Sequence, residues 1–154
     1  MIVRNNNGGN MAILLVEDNA GDVDLAIEYF EGSQVANTLH VADDGEQALR
    51  FLENSAVDDL PDLIILDLNL PGLNGLEVLA AIKGSERFKS IPVIVFSASD
   101  NNADIYKSYR NKANCYITKP MDYDEYSRVF QSIEMFWFHT AKLPKGENHE
   151  HRPY

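Results

Sequence analysis

The stretch Ile64-Ile65-Leu66-Asp67-Leu68-Asn69-Leu70-Pro71 decides the fold. An aliphatic run stands between Pro61 and Pro71-Gly72, and a single carboxylate, Asp67, closes its unbroken part. Such a run is too short for a helix and shows no polar alternation. It reads as a strand buried on both faces, the kind found in parallel sheets. In open α/β sheets, ligands gather just outside the carboxyl ends of the strands. Asp67 stands at that end. An ionised carboxylate there is costly unless it is paired or bound to a cation, so partners are expected from neighbouring strands.

Three further runs supply them. Ala12–Val16 leads straight into Glu17-Asp18, Ile91–Phe96 ends in Ser97, and Ala113–Ile117 ends in Thr118-Lys119-Pro120. Each apolar strand thus delivers a polar group at the same end of the sheet. Three gathered carboxylates repel one another and favour a hard divalent cation with oxygen ligands. Lys119 and Ser97 suit an anion sharing that cation. The set fits Mg²⁺ beside a phosphoryl group on Asp67, with Asp18 a direct ligand and Glu17 a ligand through water, since Mg²⁺ keeps several waters.

In order and approximate spacing these residues resemble the receiver domain of two-component response regulators. Glu17-Asp18 matches that family's acid pair, Asp67 its phospho-accepting aspartate, Ser97 its switch hydroxyl and Lys119-Pro120 its Lys-Pro. The resemblance covers roughly Ala12 to Thr140. Asp67–Pro71, Ala113–Pro120 and Ile133-Glu134-Met135-Phe136-Trp137 are also similar to the small stand-alone regulators that partner bacterial phytochromes. The resemblance implies that a sensor histidine kinase, of phytochrome type, phosphorylates Asp67 with Mg²⁺ as cofactor. It adds the backbone carbonyl of Asn69 as a metal ligand. It implies a cis Lys119–Pro120 bond and a lysine that neutralises the phosphoryl oxygens. Ser97 would bond the phosphoryl group, and Tyr116 would be the switch aromatic.

Strands alternating with helical patterns imply a parallel sheet covered on both faces. Val23, Ile27 and Phe30 mark a first helix closed by Gly32. Ala36 to Val41 reads as the second strand. Asp44-Gly45 opens a second helix, Asn74 caps a third, Ser99 or Asp100 a fourth and Asp122 a long last one. Five βα units without a dinucleotide loop point to a flavodoxin-like doubly wound sheet, strand order 2-1-3-4-5. The expected division is a flexible segment 1–10, a receiver unit 11–141 and a polar tail 142–154.

Composition narrows the classes. The chain has 154 residues and a net charge of −11, which disfavours nucleic acid and anionic membrane as partners. No apolar run reaches the length of a membrane span, and no signal-peptide core is visible, so a cytoplasmic location is expected. The one cysteine, Cys115, sits in an apolar strand and reads as a small buried hydrophobe. His149 and His151 in the tail are too few and too loosely held to form a metal site. Only 34 residues follow Pro120, too few for a last helix and a helix-turn-helix output domain together.

Each candidate also has a plainer role. Asp67 and Glu17-Asp18 could be helix or turn caps, Lys119 a solvated lysine, and Tyr116 a core aromatic. The combination argues against these for Asp67, Glu17-Asp18 and Lys119, while for Tyr116 the core reading stands beside the switch reading. In the last helix Tyr126, Val129, Phe130, Ile133, Trp137 and Thr140 form an inward stripe. Met135, Phe136 and Phe138 lie off it and read as an interface for a homodimer, the plainer reading being a tail that folds back to cover them. A phosphatase of the haloacid-dehalogenase type would need a second aspartate where Asn69 stands. A flavodoxin would need a phosphate loop where Glu17-Asp18 stands.

Overall fold

The computed structural model describes residues 1–5 and 10–144, with the side chains of Arg4 and Asn5 left aside. The strands are β1 (Ile2–Asn5), β2 (Met11–Val16), β3 (Asn37–Ala42), β4 (Leu63–Leu66), β5 (Val93–Ser97) and β6 (Cys115–Thr118). The α-helices are α1 (Ala20–Glu31), α2 (Gly45–Asn54), α3 (Gly75–Gly84), α4 (Asn102–Arg110) and α5 (Tyr126–Glu134). One sheet runs β1-β3-β2-β4-β5-β6. Its five parallel strands, β2 to β6, therefore lie in the expected flavodoxin-like order 2-1-3-4-5.

The unbroken apolar run of β4 is explained by its two covered faces. Ile64 and Leu66 enter a core with Leu52 of α2 and Val78, Leu79 and Ile82 of α3. Leu63 and Ile65 enter a second core with Val23, Ala26 and Phe30 of α1 and Phe130 and Ile133 of α5. All four β4 residues are buried.

Helix starts follow local chemistry. Asn19, Asp44, Asn74 and Asn101 each accept a backbone N–H of the first turn of α1, α2, α3 and α4 respectively. The cap of α4 is thus Asn101, not Ser99 or Asp100. The Ser99 hydroxyl instead donates to Asp104 Oδ2 at 2.7 Å and accepts the Asn101 N–H.

Three other expectations change. Ile2–Asn5 are not loose: they pair antiparallel with β3 and add a sixth, edge strand. No cis peptide bond occurs among the described residues, so Lys119–Pro120 is trans. The last helix is not uniform. A 3-10 turn, Tyr123–Glu125, precedes α5, and a π-helical turn, Met135–Thr140, follows it. The wider i to i+5 turn, seen in the Ala141 N–H donating to the Phe136 carbonyl at 2.7 Å, shifts side-chain register. Phe138 is thereby brought half inside with Trp137 against the α1–α5 core, its ring 6.4 Å from Phe30. Met135 and Phe136 stay exposed. Of the expected interface residues, Phe138 belongs to the packed face. Residues 145–154, with His149 and His151, lie outside the described residues.

Candidate functional site

The polar groups converge where the parallel strands end. Glu17 and Asp67 directly follow β2 and β4, and both are buried. Lys119 follows β6, and its backbone N–H donates to the Ser97 carbonyl at 2.7 Å, so the chain stays tied to β5 past the strand. This aims the lysine side chain back over the sheet. Its Nζ donates to Glu17 Oε1 at 2.8 Å, Asp22 Oδ2 at 2.7 Å and Asp67 Oδ2 at 3.1 Å. The lysine side chain is 7% exposed and its three partners 4–9%. In so dry a site each charge needs its partners, because an unpaired one would be costly.

Asp18 stands at the exposed mouth. One carboxylate oxygen from each of Glu17, Asp18 and Asp67 lies within 4.8 Å of the others. An all-oxygen, anionic donor set of this kind fits a hard divalent cation such as Mg²⁺. The Asn69 side chain is exposed, while its backbone N–H donates to Asp67 Oδ1 at 3.2 Å. Ser97 is fully buried at the end of β5, and its Oγ lies 3.4 Å from the Ser99 N–H. Tyr116 packs against the α2–α3 core and donates its hydroxyl to the Ser99 carbonyl at 2.6 Å. The Tyr109 hydroxyl of α4 in turn accepts the Tyr116 N–H of β6 at 3.1 Å. Cys115 is half-buried, and burial pushes its thiol up, as expected of a packing residue.

The electrostatics follow from crowding. Burial raises the Glu17 carboxyl well above the usual carboxylate range; nearby Asp67 adds to this and Lys119 opposes it. Burial works against the Lys119 charge. Hydrogen bonds to Asp22 and Glu17, with the charges of Glu17 and Asp67, outweigh burial and hold the ammonium above its usual range. The Tyr126 phenol at the start of α5 is pushed up to about 12 by burial and by Asp22 beside it.

Asp22 is the residue the sequence reading passed over. An acid in the first turn of a helix is ordinary, and it suits the helix dipole. The signal was its place four residues before Ala26 and eight before Phe30, on the stripe that α1 buries.

This fold and this constellation are those of the response regulator receiver domain, whose family model matches residues 13–131; the chain belongs to that family. Within it, the chain is 41% identical over 135 residues to the response regulator Rcp1 of Synechocystis sp., covering 86% of this chain and 92% of Rcp1. The phosphorylated cyanobacterial phytochrome response regulator RcpA superposes with a TM-score of 0.84 at 41% identity, over 89% of this chain and all of RcpA. The Mn²⁺-bound form of Rcp1 gives 0.81 at 40% identity, over 87% of this chain and 99% of that one.

Proposed function

We propose that this chain is a single-domain response regulator whose receiver unit, residues 11–141, takes a phosphoryl group on Asp67 from a sensor histidine kinase, one of phytochrome type. The observation that carries the reading is Lys119 Nζ 3.1 Å from Asp67 Oδ2, beside the Glu17–Asp18–Asp67 cluster. Asp67 acts as a carboxylate nucleophile. Asp18 and Asp67 would hold Mg²⁺ directly, Glu17 through water, and Asn69 by its backbone carbonyl. When bound, Mg²⁺ offsets the charge of the acids and of the incoming phosphoryl oxygens. Lys119 donates to those oxygens as charge builds on them, and Ser97 offers its hydroxyl. The acyl phosphate carries about −1.5 to −2 where the carboxylate carried a single negative charge, and the change draws on Ser97 and the loop behind it. Tyr116, already bonded to that loop at Ser99, passes the change to β6 and α4.

The domain promotes its own phosphorylation and dephosphorylation and turns over no separate substrate. It works in the cytoplasm and signals through its own surface, without DNA. Among the described residues no helix is long and apolar enough to cross a membrane. It pairs with a second copy through the exposed Met135 and Phe136.

The test is direct. Acetyl phosphate with Mg²⁺ adds one phosphoryl mass, which peptide mapping places on Asp67. A modification that persists in Asp67→Asn would sink the assignment.

A further inference from the structure

Asp22 lies in neither the acid pair nor the acceptor strand, yet it makes the shortest contact to Lys119, 2.7 Å. Its place is rigid. It is in the first turn of α1, its backbone N–H donates to the Asn19 cap at 3.0 Å, and it is 7% exposed. Three carboxylates hold the Lys119 ammonium, and two of them, Glu17 and Asp67, also belong to the cluster that fits a cation. Asp22 stands outside that cluster. A cation weakens the hold of Glu17 and Asp67 on the lysine, and phosphorylation turns Asp67 into an acyl phosphate. Neither event acts on the Asp22 carboxylate itself, which lies outside the cluster.

We propose that Asp22 is a positioning residue for phosphoryl transfer: it pins one N–H of Lys119 to helix α1, so that the other N–H groups face the phosphoryl oxygens on Asp67. In the step itself, an Asp67 Oδ forms a bond to phosphorus. The bond from phosphorus to the donor atom breaks, an imidazole nitrogen in a phosphohistidine or an acyl oxygen in acetyl phosphate, and its electron pair leaves with the donor. Lys119 stays protonated throughout. An ammonium on a flexible four-carbon stem otherwise has rotamer freedom to lose. An anchor on a rigid helix removes that freedom before the reaction, as groups behind a metal's ligands orient them.

The proposal rests on the reading of Asp67 as acceptor, and the experiment separates the two. Initial phosphorylation rates with acetyl phosphate at saturating Mg²⁺ are measured for the wild type, Asp22→Ala, Asp22→Asn, Lys119→Ala and the Asp22→Ala/Lys119→Ala pair. In parallel, acetylation of Lys119 by an N-hydroxysuccinimide ester is followed by mass spectrometry with Mg²⁺ present and no phosphoryl donor. We expect Asp22→Ala to be slower by about tenfold or more, with Lys119 labelled faster. We expect the pair to be no slower than Lys119→Ala alone, because Asp22 acts through Lys119. If Asp22→Ala does not fold, the near-isosteric Asp22→Asn carries the same comparison. A wild-type rate with unchanged labelling overturns the proposal, and so do losses that multiply in the pair. A wild type that takes up no phosphoryl group overturns the acceptor reading instead.

Discussion

Gly75 shows how tightly single residues hold the acceptor. Its backbone N–H donates to the Leu68 carbonyl at 2.9 Å, which closes the loop after Asp67 onto the start of α3. A Cβ at Gly75 would stand 2.3 Å from the Asp67 carbonyl oxygen and 2.5 Å from Leu68 Cα, both backbone atoms that cannot rotate away. We therefore expect Gly75→Ala to cost about 1–3 kcal/mol, the usual range for overpacking, in urea unfolding. Asp67 phosphorylation should slow as well, because the shifted atoms belong to the acceptor. His40 offers a pH test. Its ring stacks on Phe51 at 3.8 Å, its Nδ1 is buried without a hydrogen-bond partner, and burial lowers its pKa. The unfolded chain takes up the proton near the ordinary value of about 6.5; the folded chain does so at lower pH. The contribution of His40 is therefore present above that value and lost as pH falls through the lowered one. Melting temperature measured from pH 7 down to 5 should fall less steeply in His40→Phe than in the parent. Parallel curves would show that the ring is free to take up its proton in the fold.

At the scale of elements, β4 was legible because it is covered on both faces, and its four apolar residues allow few other readings. The caps at Asp44 and Asn74 were legible because they act within one turn. What escaped depended on partners distant in sequence. β1 is four residues whose strand character comes from pairing with β3, beginning at Ile2 opposite His40. Asp22 gains its meaning only when Lys119, 97 residues later, reaches it. Phe138 was misplaced because a 3.6-residue period was carried through a π-helical turn. That turn makes a contrast to test. Phe138→Ala should destabilise the fold by on the order of 2 kcal/mol, less than the 3–5 of a fully buried phenylalanine, since the ring is half inside. Phe136→Ala removes a ring that is 51% exposed and, at a protein concentration low enough to keep copies apart, should leave the denaturation midpoint almost unchanged. Equal losses in both variants would mean that Phe136 also packs within the monomer.

For the whole molecule, the placement of apolar surface decides what it contacts. The two cores account for Phe130, Ile133, Trp137 and Phe138. They leave Met135 and Phe136 at the end of α5 at 55% and 51% exposure. Large exposed apolar patches mark interaction surfaces, and these two adjacent side chains are where the last helix would supply one. The net charge of −11 disfavours long-range attraction between copies, so a proposed second copy would have to be held by close apolar contact. A two-fold axis meets this need, because it sets the same patch of both chains face to face. Light scattering across a concentration series should show a monomer–dimer equilibrium. Phe136→Ala should weaken it by roughly thirtyfold, the equivalent of the 2 kcal/mol lost at an interface hot spot. Beryllofluoride, a phosphoryl mimic, should shift the same equilibrium, since β6 carries Tyr116 beside the edge that α5 packs behind. Monomers at every concentration, with and without the mimic, would refute the interface and leave the Phe136 patch free for the kinase.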